Sequence, residues 1–346
     1  MAARAFITGL EGLTLSANER AFLRDSRPWG LIIFKRNVST PDQVTELIQS
    51  FRDIAGSETP VLVDQEGGRV QRLGPPHWPA YPPGARYGVL YEEEPAKGIA
   101  AARLAGHLIA ADLRPLGIDI DCLPVADVPV ASGDPVIGDR AYGTDPGKVA
   151  RIAKAIADGL QAGGVLPVLK HLPGHGRATA DSHQRLPVVD TDRAMLEATD
   201  FAAFRPLASL PLGMTAHVVF SAIDPVAPAT TSVTMVRQVI RGFIGFQGLL
   251  MSDDISMNAL SGSVAERSRA ALSAGCDIVL HCNGDLKEMI AVANEAPELS
   301  GEAAKRAHAA LAARKAPEEF DDEAARKLFT QMIADKRAEP QRKTGS

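Results

Sequence analysis

The feature that most constrains the fold is a regular alternation of short apolar runs with longer amphipathic segments between residues 5 and 297. The apolar runs are nearly continuous, which is typical of parallel strands that are buried on both faces. Eight such strand–helix pairs predict an α/β protein that forms a single (β/α)8 TIM-type barrel. A doubly wound sheet is the alternative, but no GxGxxG motif follows the first apolar run.

Local signals set the boundaries of these segments. Ser16 and Glu19 form a capping-box pattern before the first helix, and Thr40 and Gly56 mark the start and end of the second helix. Five prolines in residues 72–84 predict an irregular loop. The predicted strands span residues 5–10, 29–37, 60–68, 118–128, 165–175, 212–220, 248–255 and 277–284. The predicted helices span residues 16–26, 40–56, 96–117, 145–164, 191–209, 231–246, 263–276 and 285–297.

The domain organisation follows from length and from a change in composition near Pro317, where charged residues become frequent. A chain of 346 residues could hold two domains, but single barrels commonly reach this size. We therefore expect residues 1–315 to form one catalytic barrel. Residues 316–346 are expected to form a charged C-terminal helical extension that frays at its end.

Charge, cysteine content and hydropathy limit the partners and the compartment. The net charge is −5 and no strong basic patch occurs, so a nucleic-acid partner is not expected. The three cysteines are odd in number and far from any CxxC spacing, which fits a reducing compartment. No apolar stretch reaches 18 residues and no secretory signal is recognisable, so we expect no membrane partner and a cytoplasmic location.

Charged side chains are concentrated at the ends of the predicted strands, where a barrel carries its active site. Burying an ionised group costs several kcal/mol unless it is paired, so the concentration predicts an enzyme. Any one of these acids alone is more simply a helix cap or a loop ion-pair partner. Asp64 could simply bind Arg72, for example, and Asp254 could serve as a cap. The strand-end residues are Asp64, Gln65, Glu66, Asp121, Asp127, Asp139, Arg140, Lys170, His171, His217, Ser252, Asp253, Asp254, His281, Cys282 and Asn283.

Residues 170–187, KHLPGHGRATADSHQRLP, gather many titratable groups in one irregular segment. The segment binds a metal, transfers protons or is a solvated loop. Its histidines with Asp181 could ligate a metal, but no HxH or HExxH spacing occurs and Lys170 would repel a divalent cation. No metal and no cofactor is therefore predicted. A serine triad lacks its GxSxG motif, and a phosphate site at PGHG lacks an immediately following helix.

A carboxylate nucleophile with a separate proton donor remains, and this is the pair that sugar hydrolysis with retention requires. Asp253 is the candidate nucleophile. Asp181 and His183 are two residues apart, so in an extended segment they point to the same side. The carboxylate would then orient the imidazole and favour its protonated form, which makes a general acid. By local chemistry alone, an Asx-turn in a solvated loop is the simpler interpretation of this DSH sequence.

Four blocks of sequence make the pattern specific: VDQEGGRVQRL at 63–73, GDRAYG at 138–143, KHLPGHGRATADSH at 170–183 and LLMSDDISM at 249–257. Together they resemble β-N-acetylhexosaminidases of glycoside hydrolase family 3, of the single-domain bacterial cytoplasmic type used in peptidoglycan recycling. The resemblance implies that Asp253 is the nucleophile, that His183 is the general acid/base and that Asp181 is its dyad partner. It also implies that the N-acetylglucosamine is held by Asp64, Arg72, Arg140, Lys170 and His171, since such side chains bind hydroxyls through charge-assisted hydrogen bonds.

The chain departs from the family pattern after PGHG, where Arg177 and Ala178 stand instead of the frequent aspartate and threonine. That segment joins the fifth strand to the dyad. We expect it to move as a lid that carries the proton donor over the bound sugar.

The resemblance implies a retaining exo-β-N-acetylglucosaminidase that acts on muropeptides, in which the sugar is linked to 1,6-anhydro-N-acetylmuramic acid. Two alternatives stay open. A histidine acid/base would not repel phosphate, so a glycoside phosphorylase is possible chemistry, and a non-catalytic sugar-binding barrel would bind without turnover. We expect a monomer or a weak homo-oligomer.

Overall fold

The computed structural model describes residues 2–182 and 184–334. Within them, eight parallel strands close into a barrel in which each strand pairs with its sequence neighbours, and the last strand pairs with the first. Phe6, Ile7 and Thr8 lie opposite Val279, Leu280 and His281 at this closure. The strands are β1 (Arg4–Thr8), β2 (Pro28–Ile33), β3 (Val61–Val63), β4 (Ile120–Asp121), β5 (Leu166–Leu172), β6 (Leu212–Thr215), β7 (Leu249–Asp254) and β8 (Ile278–His281). The predicted (β/α)8 barrel is confirmed.

Helices surround this barrel. One of them, Met235–Phe243, is a π-helix between β6 and β7. The others are α1 (Ala17–Ser26), α2 (Pro41–Ala55), α3 (Gly84–Glu93), α4 (Pro95–Leu113), α5 (Pro146–Ala162), α6 (Arg193–Ala198), α7 (Val264–Ala274), α8 (Leu286–Glu295), α9 (Gly301–Ala312) and α10 (Asp322–Ile333). No helix in the part of the chain that the structure describes is long and apolar enough to cross a membrane.

The capping signals lie where the sequence predicts them. The Ser16 side chain accepts a hydrogen bond from the Glu19 amide, and the Glu19 carboxylate accepts one from the Ser16 amide, so α1 begins with a complete capping box. Thr40 accepts from the Gln43 amide at the start of α2, and Gly56 ends that helix with φ +112°. Glycine is suited to that backbone conformation because it has no Cβ.

The barrel strands bury both faces. Along β7, Leu249 and Met251 belong to the cluster that fills the barrel, whereas Leu250 belongs to the cluster between strands and helices. Successive side chains of a strand point to opposite faces, so both sets must be apolar. This explains why the sequence shows continuous apolar runs rather than an alternating pattern.

Several predicted segments are shorter than expected, and the strands predicted over residues 60–68 and 118–128 are only Val61–Val63 and Ile120–Asp121. Two helices, α3 and α9, were not predicted. The helix predicted over residues 191–209 stops after α6, and the chain continues as short 3-10 turns. At this point the Thr199 and Asp200 side chains accept hydrogen bonds from Arg177. The strand predicted over residues 212–220 leaves the barrel after Thr215, and Val219–Phe220 pairs with Val188–Val189. Helix α3 follows the proline-rich loop directly.

The C-terminal helices pack against the barrel. Arg326 of α10 forms an ion pair with Asp112 of α4 at 2.7 Å, and Asp112 also accepts a hydrogen bond from the Tyr81 hydroxyl. Phe329 lies against the Tyr81 ring, with 6.1 Å between ring centroids. The helical part of the predicted C-terminal extension is thus confirmed by α10, which contacts the loop that follows β3. The predicted frayed end, residues 335–346, lies outside the described residues.

Candidate active site

A cavity of about 290 Å³ opens at the C-terminal ends of the barrel strands. Its volume lies near the lower end of the range for small-molecule sites, which is roughly 300–1,000 Å³. The sequence-predicted residues that line it are Asp64, Arg72, Arg140, Lys170, His171, Asp181 and Asp253. Residues from widely separated parts of the chain therefore meet as the strand-end argument predicted. His183 lies outside the described residues.

Asp64, at the end of β3, is bound by two cations. Its Oδ1 atom lies 2.9 Å from Lys170 Nζ, and its Oδ2 atom lies 2.9 Å from Arg72 Nη2. Burial alone would raise the pKa of Asp64, but Lys170 and Arg72 outweigh burial and hold this pKa well below its usual value. The carboxylate is therefore ionised at neutral pH. The simple Asp64–Arg72 contact exists, but it belongs to a larger network.

Glu66 connects this network to the loop after β4. Its Oε1 atom lies 2.7 Å from Lys170 Nζ, and its carboxylate accepts two bonds of 2.8 Å from Arg140. Such a two-point arginine–carboxylate contact fixes geometry as well as charge. Burial would raise the pKa of Glu66, but Arg140 and Lys170 lower it to about 2.

Lys170 is almost fully buried between its two carboxylates. Burial would lower the pKa of its ammonium, but Asp64 and Glu66 raise it above the usual value, so Lys170 stays charged. Five ions thus hold one another in fixed positions: Asp64, Glu66, Arg72, Arg140 and Lys170. All of them except Glu66 line the cavity.

His171, on β5 after Lys170, points to a different partner. Its Nδ1 atom lies 2.6 Å from Asp127 Oδ2, and the Asp127 Oδ1 atom accepts a bond of 2.7 Å from the His175 amide. Burial would raise the pKa of Asp127, but His171 lowers it. An ionised Asp127 accepts a hydrogen bond from the Nδ1–H group of His171, which orients the ring, and His171 lines the cavity.

Asp253 and Asp254 end β7, and their surroundings differ. The Asp254 carboxylate accepts bonds from the Ser256 amide at 3.0 Å, the Ser256 hydroxyl at 2.6 Å and the Cys282 amide at 3.1 Å. These bonds hold Asp254 in the turn after β7. The next helix, α7, is capped by Ser263, so the interpretation of Asp254 as a helix cap is wrong. Asp253 Oδ1 accepts from the Asp254 amide at 2.8 Å, and Asp253 lines the cavity.

The segment after β5 is packed rather than solvated. His175 and Ser182 are each only 3% exposed, and His175 Nε2 lies 3.1 Å from Ser182 Oγ. Burial and the nearby His171 lower the pKa of His175 to about 4, so His175 is neutral at pH 7. The solvated-loop interpretation is therefore wrong for most of residues 170–182, whereas Gln184 and Arg185 are exposed. No cluster of three or more potential metal ligands occurs among residues 2–182 and 184–334.

Two partners in this site were not singled out from the sequence. Glu66 and Asp127 were noted only as strand-end acids, without a role. Their partners come from other strands, so no local spacing identifies them. The available signal was that both acids follow strands whose ends also carry basic residues, which is typical of a functional site.

A closed barrel whose strand ends hold fixed carboxylates and cations around one cavity defines an enzyme of the (β/α)8 class. Residues 7–314 match the glycosyl hydrolase family 3 N terminal domain. The chain belongs to this family, and it is a glycoside hydrolase. The family suggested by the four sequence blocks is thus confirmed.

Similar proteins agree with this assignment. A protein named Beta-hexosaminidase from Alkalilimnicola ehrlichii is 41% identical over 281 residues, which cover 80% of this chain and 79% of that protein. Another from Thioalkalivibrio sulfidiphilus is 42% identical over 279 residues, 79% of each chain. Among solved structures, NagZ from Neisseria gonorrhoeae in complex with N-trifluoroacetyl-D-glucosamine has a TM-score of 0.83 and 30% identity, and the match covers 96% of this chain and 97% of that one.

Proposed function

We propose that the protein is a retaining exo-β-N-acetylglucosaminidase. The observation that carries the proposal is the position of Asp253, which lines the same cavity as the fixed charges of Asp64, Lys170 and Arg140. Ionised side chains that cannot rotate away are suited to holding several sugar hydroxyls. The Asp253 carboxylate, at the end of β7, would then share the cavity with the anomeric carbon of the bound sugar.

In the proposed reaction, the Asp253 carboxylate attacks the anomeric carbon and the bond to the leaving oxygen breaks. His183 gives its proton to that oxygen, with Asp181 stabilising the imidazolium. The product is a glycosyl ester on Asp253. His183 then takes a proton from water, and the water oxygen bonds to the anomeric carbon. The ester bond to Asp253 breaks, which regenerates the Asp253 carboxylate. Asp181 lines the cavity, which supports its position beside the leaving group.

The proposed substrate is a muropeptide with a terminal β-linked N-acetylglucosamine on 1,6-anhydro-N-acetylmuramic acid, handled in the cytoplasm during peptidoglycan recycling. The names of similar proteins support the sugar. One similar structure is called a beta-N-acetylglucosaminidase, from Paenibacillus, and the Neisseria protein was solved with an N-acylated glucosamine. We propose no metal, no cofactor and no nucleic-acid partner, and a monomer or weak homo-oligomer.

The test is release of nitrophenol from 4-nitrophenyl N-acetyl-β-glucosaminide by the parent protein and by Asp253→Asn, with and without EDTA. We expect turnover that EDTA does not change and that falls by at least three orders of magnitude in the variant, as for loss of a covalent nucleophile. Asp285→Asn is the matched control, because Asp285 is an exposed helix cap after β8. Full activity in Asp253→Asn would mean that another carboxylate is the nucleophile.

The phosphorylase alternative is decided in the same assay. Added phosphate would increase the rate and yield N-acetylglucosamine 1-phosphate if phosphate is the natural acceptor. A hydrolase instead gives free N-acetylglucosamine in both buffers. Sugar binding without any turnover in either buffer would favour the non-catalytic alternative.

A further inference from the structure

Arg177, at the position where the chain departs from the family pattern, joins the segment after β5 to the segment after α6. Its Nε atom donates to Asp200 Oδ2 at 2.6 Å, and its Nη2 atom donates to Thr199 Oγ1 at 3.1 Å. The aspartate that is frequent at this position in the family would repel Asp200, because both carboxylates are negative. The contact is therefore a property of this chain's own residues.

The Asp200 carboxylate is buried, and Arg177 compensates its charge. The Asp200 side chain is 1% exposed and that of Arg177 is 20% exposed, so little solvent screens the ion pair. Burial raises the pKa of Asp200, and the hydrogen bond and charge of Arg177 oppose that rise. Because a buried charge without its partner is costly, the pair holds Arg177 in one place.

The backbone on either side of this arginine is also held. The Gly176 carbonyl accepts a hydrogen bond from the Val130 amide at 3.3 Å, and the Ala178 carbonyl accepts one from the Asp134 amide at 2.7 Å. Val130 and Asp134 belong to the loop after β4. We call Gly176, Arg177 and Ala178 the stem. The stem therefore rests on the loop after β4 as well as on the ion pair.

The stem leads directly to Asp181, which lines the active-site cavity. Only two residues separate Asp181 from the stem, and each residue of a chain spans at most about 3.6 Å. The next residue, Ser182, is bound on the other side, because its carbonyl accepts a hydrogen bond of 3.1 Å from the Ala259 amide in the turns after β7. Asp181 thus lies between the stem and the segment that follows Asp253.

We propose that Arg177 is a positioning residue for the proton transfer to the leaving group. The proposal rests on the proposed glycosidase function, in which Asp181 and His183 supply that proton. Arg177 holds the stem against Asp200, and the stem sets the distance of the dyad from Asp253. Among the described residues, Arg177 does not line the cavity, so its effect on catalysis passes through the stem.

The test compares two substrates that differ in their need for a proton. The 2,4-dinitrophenolate group leaves N-acetyl-β-glucosaminide without protonation, whereas the sugar oxygen of N,N′-diacetylchitobiose must be protonated as it leaves. In Arg177→Ala we expect kcat/KM to fall by roughly ten- to 100-fold for the disaccharide and by no more than about threefold for the dinitrophenyl glycoside. His183→Ala should show the same selectivity with a larger fall, which gives the full size of the effect.

Arg241→Ala is the matched control, since Arg241 also pairs with a buried aspartate. Its partner Asp277, at 2.8 Å, directly precedes β8 and so lies at the opposite end of the barrel. Asp277 keeps Arg306 at 2.9 Å in this variant. Arg241→Ala should therefore keep the parent ratio of kcat/KM values for the two substrates. Arg177→Lys retains the charge but has fewer donors than the guanidinium, so it should give an intermediate ratio.

The two proposals fail in different ways. An equal fall for both substrates in Arg177→Ala, or a parent ratio in that variant, would overturn the positioning role if His183→Ala is selective. Equal falls in His183→Ala would instead count against the proposed proton donor. Hydrolysis of neither substrate by the parent would count against the glycosidase function itself.

Discussion

At the residue scale, Glu66 is a buried carboxylate that joins two cations of the site. It is 6% exposed and contacts both Arg140 and Lys170. Removing one partner of a buried ion pair leaves an uncompensated charge, and the usual cost is roughly 3–5 kcal/mol. We therefore expect Glu66→Gln to lower the free energy of unfolding by roughly 3 kcal/mol at pH 7 and to raise KM. Urea unfolding and the nitrophenyl assay measure the two effects.

The same variant has a defined pH dependence. The pKa of Glu66 falls from an ordinary value of 4.5 to about 2 in the folded protein. Its stabilisation is fully present above pH 4.5 and is lost as pH falls toward 2. The difference in the free energy of unfolding between the parent and Glu66→Gln should thus be largest at neutral pH and should become smaller in acid. Glu58→Gln, at an exposed position, is the control and should change stability by no more than about 0.5 kcal/mol.

How much of the site the sequence could predict differs from residue to residue. Asp64 and Asp253 were predicted because they follow strands, and strand ends converge in a barrel. Arg72 was predicted only from the resemblance of the block at residues 63–73 to the family. The pairing of Lys170 with both Asp64 and Glu66 could not be predicted, because it depends on side-chain directions across three strands. The assignments of nucleophile and proton donor remain predictions, with His183 outside the described residues.

At the element scale, the helix caps offer a direct comparison. Ser16 completes a capping box at α1, whereas Ser300 precedes α9 without a side-chain capping bond. We expect Ser16→Ala to cost about 1 kcal/mol, because the amide of Glu19 loses its acceptor. Ser300→Ala should be nearly neutral. Thermal unfolding of the two variants measures the difference, and equal melting temperatures would contradict the capping argument.

Element prediction succeeded where the signal was local. Thr40 with Pro41 marked the start of α2, and both the cap and the proline occupy those positions. It failed where distant partners decide the structure. The extended pair of Val219–Phe220 with Val188–Val189 takes residues away from the predicted sixth strand. A strand partner 31 residues earlier in the chain does not affect the local pattern of apolar residues.

At the scale of the whole molecule, α10 joins the barrel flank to the loop after β3. Phe329 is 5% exposed and packs against Tyr81, whereas its neighbour Leu328 is 50% exposed. We expect Phe329→Ala to cost roughly 3 kcal/mol, since it leaves a cavity at this contact. Leu328→Ala, on the same helix, should cost much less. Denaturant unfolding distinguishes them, and equal losses would show that α10 does not pack through Phe329.

Fold class was the most predictable property of the molecule. The strand–helix pattern occurs eight times, and each occurrence indicates the same architecture. Errors at individual element boundaries therefore do not change the predicted fold class. Helix α3 and the broken helix at residues 191–209 do not change the number of barrel strands. The position of α10 against Tyr81 could not be derived, since a charged amphipathic helix does not specify which surface it covers.

Closure of the barrel between β1 and β8 has a consequence for biosynthesis. Strand β1, which contains Thr8, can pair with β8 only after the ribosome has synthesised residues up to His281. At a synthesis rate of about 5–20 residues per second, a ribosome needs roughly 15–55 s to make the chain between them. During that time the nascent polypeptide presents an unpaired apolar edge, the kind of surface that templates aggregation. The need for chaperones during translation should therefore depend on the number of residues between the first and last strands.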